Sequence, residues 1–193
     1  MTDESQPDCL ENPQPEQLTM PTPLRPLLAA ILVSLVFSSP SPADVKLPNL
    51  FSDHMLLQQS TAAPIWGWAE PGEEVRVAAT WGKDARTKTD QDGRWKVFLP
   101  TPAHGGPYQI KISGRNERTL DDVMIGEVWL CAGQSNLGWR LSATYHGKED
   151  GATANHPNLR IFRSERQHSP TPLDDCKATW TPCTPESAAT CSA

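Results

Sequence analysis

The sequence predicts two fold classes in succession: an all-β sandwich over residues 45–120, then the truncated start of an α/β domain over 121–193. Three observations carry this. Apolar and polar residues alternate in short runs between 74 and 113. Turn residues punctuate those runs at intervals of about ten, the spacing of an all-β domain. After them comes Val123–Cys131, an apolar run that does not alternate.

The β segments are read from their period of two. Tyr108, Ile110 and Ile112 alternate with Gln109, Lys111 and Ser113, which puts one set on a single sheet face. Val75 and Val77 do the same against Glu74 and Arg76, as do Trp95, Val97 and Leu99 against Arg94 and Lys96. Breaks fall at Pro71-Gly72, Asp92-Gly93, Gly105-Gly106 and Gly114. Asp90-Gln91-Asp92-Gly93 is expected to close a hairpin between Thr87–Asp90 and Arg94–Leu99, because Gly93 accepts a positive φ. Trp66, Trp68, Trp81 and Trp95 are read as core, since tryptophan carries a large apolar area. The alternative is that they stack on sugar rings, which would make this part a non-catalytic carbohydrate-binding module. His54 follows Asp53 directly and is assigned a local structural role, because adjacent residues seldom orient one another.

Composition excludes several classes. The chain has 193 residues, 37% hydrophobic and 21% charged, with 17 Lys+Arg against 23 Asp+Glu. That acidic balance lacks the concentrated basic face of a nucleic-acid partner. No apolar run reaches the roughly 18 residues of a membrane span. Residues 1–19 hold Asp3, Glu4, Asp8, Glu11 and Glu16, three prolines and no base, and are read as a disordered leader. Residues 20–43 are read as a signal peptide: Met20, then Arg25, then the apolar stretch Leu27–Phe37, with small residues before Asp44. The other reading is a short buried helix. A signal implies a secreted or periplasmic protein, with no membrane in the mature form.

The chemistry-bearing motif follows the apolar run. A continuous run suits a strand buried on both faces of an α/β sheet. It leads to Ala132-Gly133-Gln134-Ser135-Asn136. Open α/β sheets place reactive groups just past the carboxyl end of a strand. A helix starting there would set Ser135 at the positive end of its dipole, and the Ser135 backbone N–H would be one oxyanion donor. On its own, such a serine is most often a helix N-cap.

The stretches LPNLFSDHMLLQQ (47–59), PIWGWAEPGEEVRV (64–77), DGRWKVFLP (92–100), GGPYQIKI (105–112), GEVWLCAGQSN (126–136) and WTPCTPESAAT (180–190) give wider context. Through them the chain resembles the sialate O-acetylesterase family, a branch of the SGNH (GDSL-like) carbohydrate esterases with a flavodoxin-like catalytic domain. The resemblance implies hydrolysis of O-acetyl esters on sialic acids or other sugars, with Ser135 as nucleophile and no metal or organic cofactor. It places Gln134 and Asn136 as substrate-binding candidates. It also implies a base His in a late Asp-x-x-His motif, which this sequence lacks. His146, His156 and His168 lie downstream in polar, turn-rich sequence, and neither Asp150 nor Asp174 stands at the family spacing from them. Leu137 and Gly138 replace the usual Met and Glu of the family.

The chain is therefore expected to be an inactive amino-terminal fragment, poorly packed from Ser135 onward. A decayed coding sequence would predict neither binding nor activity. Thr184-Pro185-Glu186 predicts a helix start running through Ser187–Ala193, and Asn158–Arg163 a second strand. Trp129, Leu130 and Ile125 are expected to lack partners. Cys176 and Cys183 are close enough in sequence to bridge a loop; free thiols are the other reading.

Overall fold

The computed structural model describes residues 44–165 and 167–191, and of Asn136 the backbone only. The expected leader and signal segment lie outside these residues.

Seven strands build the first part of the fold. They are β1 (Leu56–Gln58), β2 (Ala62–Trp68), β3 (Glu74–Ala79), β4 (Lys83–Lys88), β5 (Arg94–Pro100), β6 (Gly105–Ser113) and β7 (Glu117–Gly126). Five form one mixed, curled sheet in the order β1-β7-β6-β3-β4. β1 pairs parallel to β7, Leu56 opposite Met124, and the other pairings are antiparallel. β2 and β5 form a separate antiparallel ribbon.

The period-two reading locates the core. Val75, Val77, Ile110 and Ile112 point inward from the sheet; Ile65, Trp95, Val97 and Leu99 do so from the ribbon, and all join one buried cluster. Trp66 and Trp81 are half-buried against that cluster. The Trp81 indole N–H donates to the Pro100 carbonyl (2.9 Å), which gives the polar edge of that ring a partner. Tryptophan as core thus holds for Trp95 and in part for Trp66 and Trp81.

The expected hairpin forms only at its turn. Gly93 has φ 72°, and the Asp90 carboxylate accepts from the Asp92 and Arg94 amides at 3.0 and 2.8 Å. Beyond the turn, β5 does not continue along β4. It pairs with β2 instead, from Trp68 opposite Arg94 to Ala62 opposite Pro100. β4 alternates only between exposed and half-buried residues, whereas β2 and β5 each offer an apolar inner row. Burial therefore selected the partner.

β7 corrects the reading of Val123–Cys131. Its strand ends at Gly126 and lies in the curled sheet, so the expected boundary at 120/121 falls inside it. Val123 and Ile125 are buried, contrary to the expectation for Ile125. Val128, Trp129 and Leu130 are in no strand and are 45%, 84% and 92% exposed. β1 ends at Gln58, level with Gly126, so no strand remains for the later residues to pair with.

Residues 127–191 carry α1 (Gly147–Thr153), β8 (His156–Phe162), β9 (Trp180–Cys183) and α2 (Pro185–Thr190). β8 begins two residues before the expected Asn158. It pairs antiparallel with β9 rather than entering a parallel sheet. α2 begins as predicted: Thr184 Oγ1 accepts from the Ser187 amide, Ser187 Oγ accepts from the Thr184 amide, and Pro185 stands in the first turn. Glu186, in that turn, has its carboxyl lowered by its own backbone N–H and by Thr184. The helix stops at Thr190, short of the expected Ala193, where Cys191 turns extended and its N–H reaches back to Ser187 and Ala188.

Cys176 and Cys183 are free thiols, which corrects the Cys176–Cys183 bridge. Cys183 is buried on β9, while Cys176 sits in a loop whose carbonyl accepts from the Asn49 amide group at 3.0 Å. The loop is thus drawn toward residue 49 while the Cys183 thiol packs inside. Among the described residues no helix is long and apolar enough to cross a membrane.

Gly67 tests the packing between β2 and the entering chain. Lys46 pairs with Trp68 across an isolated bridge, and a Cβ at residue 67 would meet the Lys46 carbonyl and the Trp95 ring. Gly67→Ala is expected to lower stability by about 2 kcal/mol, the usual cost of overpacking. The shift in urea midpoint measures it.

Candidate active site

The site begins where the sheet runs out. Two carboxamides grip the chain as it leaves β7. The Gln58 and Gln59 side chains donate to the two oxygens of Glu127 at 3.0 and 2.5 Å, and the Val128 amide donates to Gln58 Oε1 at 2.9 Å. These donors hold the Glu127 carboxyl below the ordinary glutamate value. From there the chain runs exposed to Gln134.

Ser135 opens a one-turn 3-10 helix, Ser135–Gly138, closed by the Leu137 amide donating to the Gln134 carbonyl at 3.1 Å. This is shorter than the helix expected, and four residues align too few peptide dipoles to favour an oxyanion strongly. Ser135 is exposed, and its hydroxyl bonds to no other described residue. Gln134 is exposed beside it. The predicted substrate contact of the Asn136 side chain lies outside what is described.

No candidate base is brought to Ser135 by a hydrogen bond. His146 packs edge-on against Tyr145, ring centroids 4.0 Å apart, in the left-handed position before α1. His156 and His168 are exposed. Asp150 is exposed on α1. Asp174 is taken by Arg94, whose guanidinium donates to both carboxylate oxygens at 2.9 Å and holds that carboxyl low.

The structure does contain a His–Asp pair, with another partner than sequence order offered. His54 Nδ1 lies 2.7 Å from Asp122 Oδ2. Asp53 instead accepts the Asp121 amide at 2.9 Å. Arg160, its side chain 4% exposed, donates from Nη2 to both Asp122 oxygens at 3.0 and 2.9 Å. Residues 54 and 122 both have positive φ, 67° and 52°. No short-range signal could have found a pair 68 residues apart. Burial pushes the Asp122 carboxyl up, but the His54 hydrogen bond and the Arg160 charge outweigh it, so the net direction is down.

A second feature lies beside Trp66. Pro48, Leu50, Trp66 and Leu173 line a groove of about 350 Å³ that Asp174 and Asp175 border. Asn49 fixes Asp175 by donating its backbone and side-chain amides at 2.8 and 3.1 Å.

No family model matches the chain. Over 142 residues it is 32% identical to the sialate O-acetylesterase of Mus musculus, covering 67% of this chain and 26% of that one. It is 28% identical to the sialate O-acetylesterase of Homo sapiens over 145 residues, covering 69% and 28% respectively. Among solved structures it is similar to a carbohydrate acetylesterase from Xanthomonas citri, with TM-score 0.73 and 36% identity over 77% of this chain and 35% of that one. The chain thus spans about a quarter of the length of the curated relatives it matches.

Asp122 generates a pH prediction. A carboxyl whose folded pKa lies below its unfolded value of about 3.9 lends stability that is full above that value and lost as pH falls through the folded one. Asp122→Asn tolerates the left-handed backbone but leaves Arg160 buried without its counter-charge. It is expected to cost about 3 kcal/mol at pH 7. The gap to the unmodified protein should narrow as pH falls below about 4. Urea unfolding at pH 7 and pH 3 reads both effects.

Proposed function

The chain belongs to the sialate O-acetylesterase family, and from that membership we propose that Ser135 is the acyl acceptor of a carbohydrate O-acetyl esterase. The hydroxyl attacks the acetyl carbonyl and passes its proton to a base. The tetrahedral oxyanion collapses, expelling the sugar hydroxyl, and water then releases acetate from the acyl-serine. The Ser135 backbone N–H is the oxyanion donor the chain itself supplies. The substrate class is an O-acetylated sugar, and export through residues 20–43 belongs to the same reading. The observation that carries it is the likeness to a carbohydrate acetylesterase over 77% of the chain, joined to an exposed serine in its GQSN turn.

A serine without a base is a weak nucleophile. No described histidine hydrogen-bonds to Ser135, so this chain alone is proposed to be inactive. The test is release of 4-methylumbelliferone from its acetate by the purified chain and by Ser135→Ala. Equal, background-level rates are expected. A rate in the unmodified chain that Ser135→Ala abolishes would overturn the inactivity and support the serine role. A rate that survives Ser135→Ala would overturn the serine role.

A second reading, sugar binding without catalysis, is favoured by the groove at Trp66. On that reading Trp66→Ala lowers retention on an immobilised glycan array at least tenfold, whereas Trp66→Phe, which keeps the packing against Phe51, lowers it less. Retention that is absent, or unchanged by Trp66→Ala, removes this reading.

A further inference from the structure

The groove at Trp66 has fixed walls. Pro48, Leu50 and Trp66 come from the first part of the fold, and residues 164–176 from the second. Asn49 ties the two, donating to Asp175 and, from its side chain, to the Cys176 carbonyl. The Trp180 indole N–H donates to the Leu50 carbonyl at 2.8 Å. The buried Phe51 meets the Trp66 ring at 82°, centroids 4.6 Å apart, and holds it in place. At about 350 Å³ the groove lies at the lower end of small-molecule pockets, roughly 300–1,000 Å³.

Three carboxylates line the same groove, and they differ in what balances them. Asp174 has both oxygens on the Arg94 guanidinium at 2.9 Å, so that pair neutralises it. Asp175 accepts only from neutral groups, the two Asn49 amides and the Cys176 amide. These donors orient its carboxylate and leave its charge in place. Glu165 is engaged through its backbone alone: its amide donates to the Lys177 carbonyl at 2.9 Å, and its carbonyl accepts from Ser164 Oγ at 3.2 Å. Among the described residues its carboxylate has no partner. It also borders a cleft lined by Arg140 and Arg163 and pairs with neither. The groove thus sets an indole beside two negative charges that no cation among the described residues balances.

We propose that this groove takes an organic ammonium ligand, a cationic amine on a compact ring or alkyl body, with Trp66 as its aromatic platform and Glu165 as its counter-charge. The proposal rests on the reading of the Trp66 groove as a ligand site, and it adds the charge of the ligand. An ammonium is attracted to the negative face of an aromatic ring, most strongly to indole. A carboxylate adds its charge, and a charge-assisted bond where the amine carries hydrogens. Because Glu165 is unpaired, it gives up no protein partner when the ligand arrives. Pro48, Leu50 and Leu173 favour an organic body over a bare inorganic cation. An amino sugar and a choline-like head group share this chemistry. A neutral sugar lacks the charge.

The test is calorimetric titration of the unmodified full chain with D-glucosamine, choline, D-glucose and N-acetyl-D-glucosamine, at a pH where the primary amine is protonated. At least one of the two amines is expected to bind about tenfold tighter than either neutral sugar. That affinity should weaken as salt rises from about 50 to 500 mM. Glu165→Gln, on an exposed side chain, should lower it about fivefold without moving the urea midpoint, which separates recognition from folding. Trp66→Ala should lower it about tenfold, and Trp66→Phe less. Glu149→Gln, an exposed charge change on α1, should leave it unchanged. Preference for glucosamine identifies an amino sugar, and preference for choline an alkylammonium head group. Amines that bind no tighter than the neutral sugars overturn the proposal. If those sugars still lose binding in Trp66→Ala, the sugar-binding reading stands without it. Amine binding that Glu165→Gln leaves unchanged also overturns it, as does equal weakening by Glu149→Gln, which marks attraction to overall charge. Absence of binding by all four probes removes the proposal and the ligand site together.

Discussion

The carboxylate of Asp122 joins the two parts of the chain. It sits on β7 in a left-handed conformation, receives His54 from the loop before β1, and receives both contacts from the buried Arg160 of β8. A positive φ at a residue other than glycine costs of order 1 kcal/mol or more and persists only when surroundings impose it. Here two such residues face each other, and the buried guanidinium supplies the imposition. Other ties run across the same junction. Trp180 donates to the Leu50 carbonyl at 2.8 Å, and Arg94 pairs with Asp174. The second of these is exposed on both sides, where ion pairs contribute little. The buried Arg160 charge is different: it also donates to the Pro157 carbonyl, but Asp122 is its one counter-charge, and removing it leaves the desolvation cost largely uncompensated. The placement of residues 127–191 therefore follows chiefly from Asp122 and from Trp180, which bonds to Leu50 and joins the buried core cluster.

A second constraint follows from strand length. β1 pairs with β7 over only three residues, ending at Gly126. The backbone beyond has no ladder to join, so it turns to side chains: Gln58 takes the Val128 amide, and Glu127 takes both glutamines. The apolar residues that follow reach solvent because the sheet offers no further strand to cover them. The same release exposes Ser135.

Local physics in the sequence carried most of the β fold and less of the site. The alternation in Val75–Val77, Trp95–Leu99 and Tyr108–Ile112 set the inward rows, because a period of two leaves one choice of face. Gly93 and the Thr184-Pro185 cap were legible because their conformations are fixed within four residues. Partner choice was not. The turn at 90–93 named β4 and β5 as neighbours, yet the better apolar row belonged to β2. The apolar run at 123–131 misled because periodicity does not separate a strand covered on both faces from a strand followed by an uncovered tail. The His54–Asp122–Arg160 cluster was illegible, because its members meet only after three separate elements have docked. Ser135 was legible as a motif residue, while its surroundings had to come from coordinates.

On the proposed reading of Ser135, presenting a nucleophile is separate from activating one. Presentation needs a strand that ends, a turn that exposes the next hydroxyl, and donors that hold the exit. Gln58, Gln59 and the 3-10 turn supply these. Activation needs a base within hydrogen-bond reach, oriented by a further group. The oriented His–Asp pair of this chain makes no hydrogen bond to Ser135. His54 lies level with Asp122, four residues before the end of β7, whereas Ser135 comes nine residues after that end. Arg160 also occupies both oxygens of Asp122, so the carboxylate is committed to holding the fold together. On the proposed reading of Ser135, the proton acceptor is a group other than the histidines described here, none of which hydrogen-bonds to that hydroxyl.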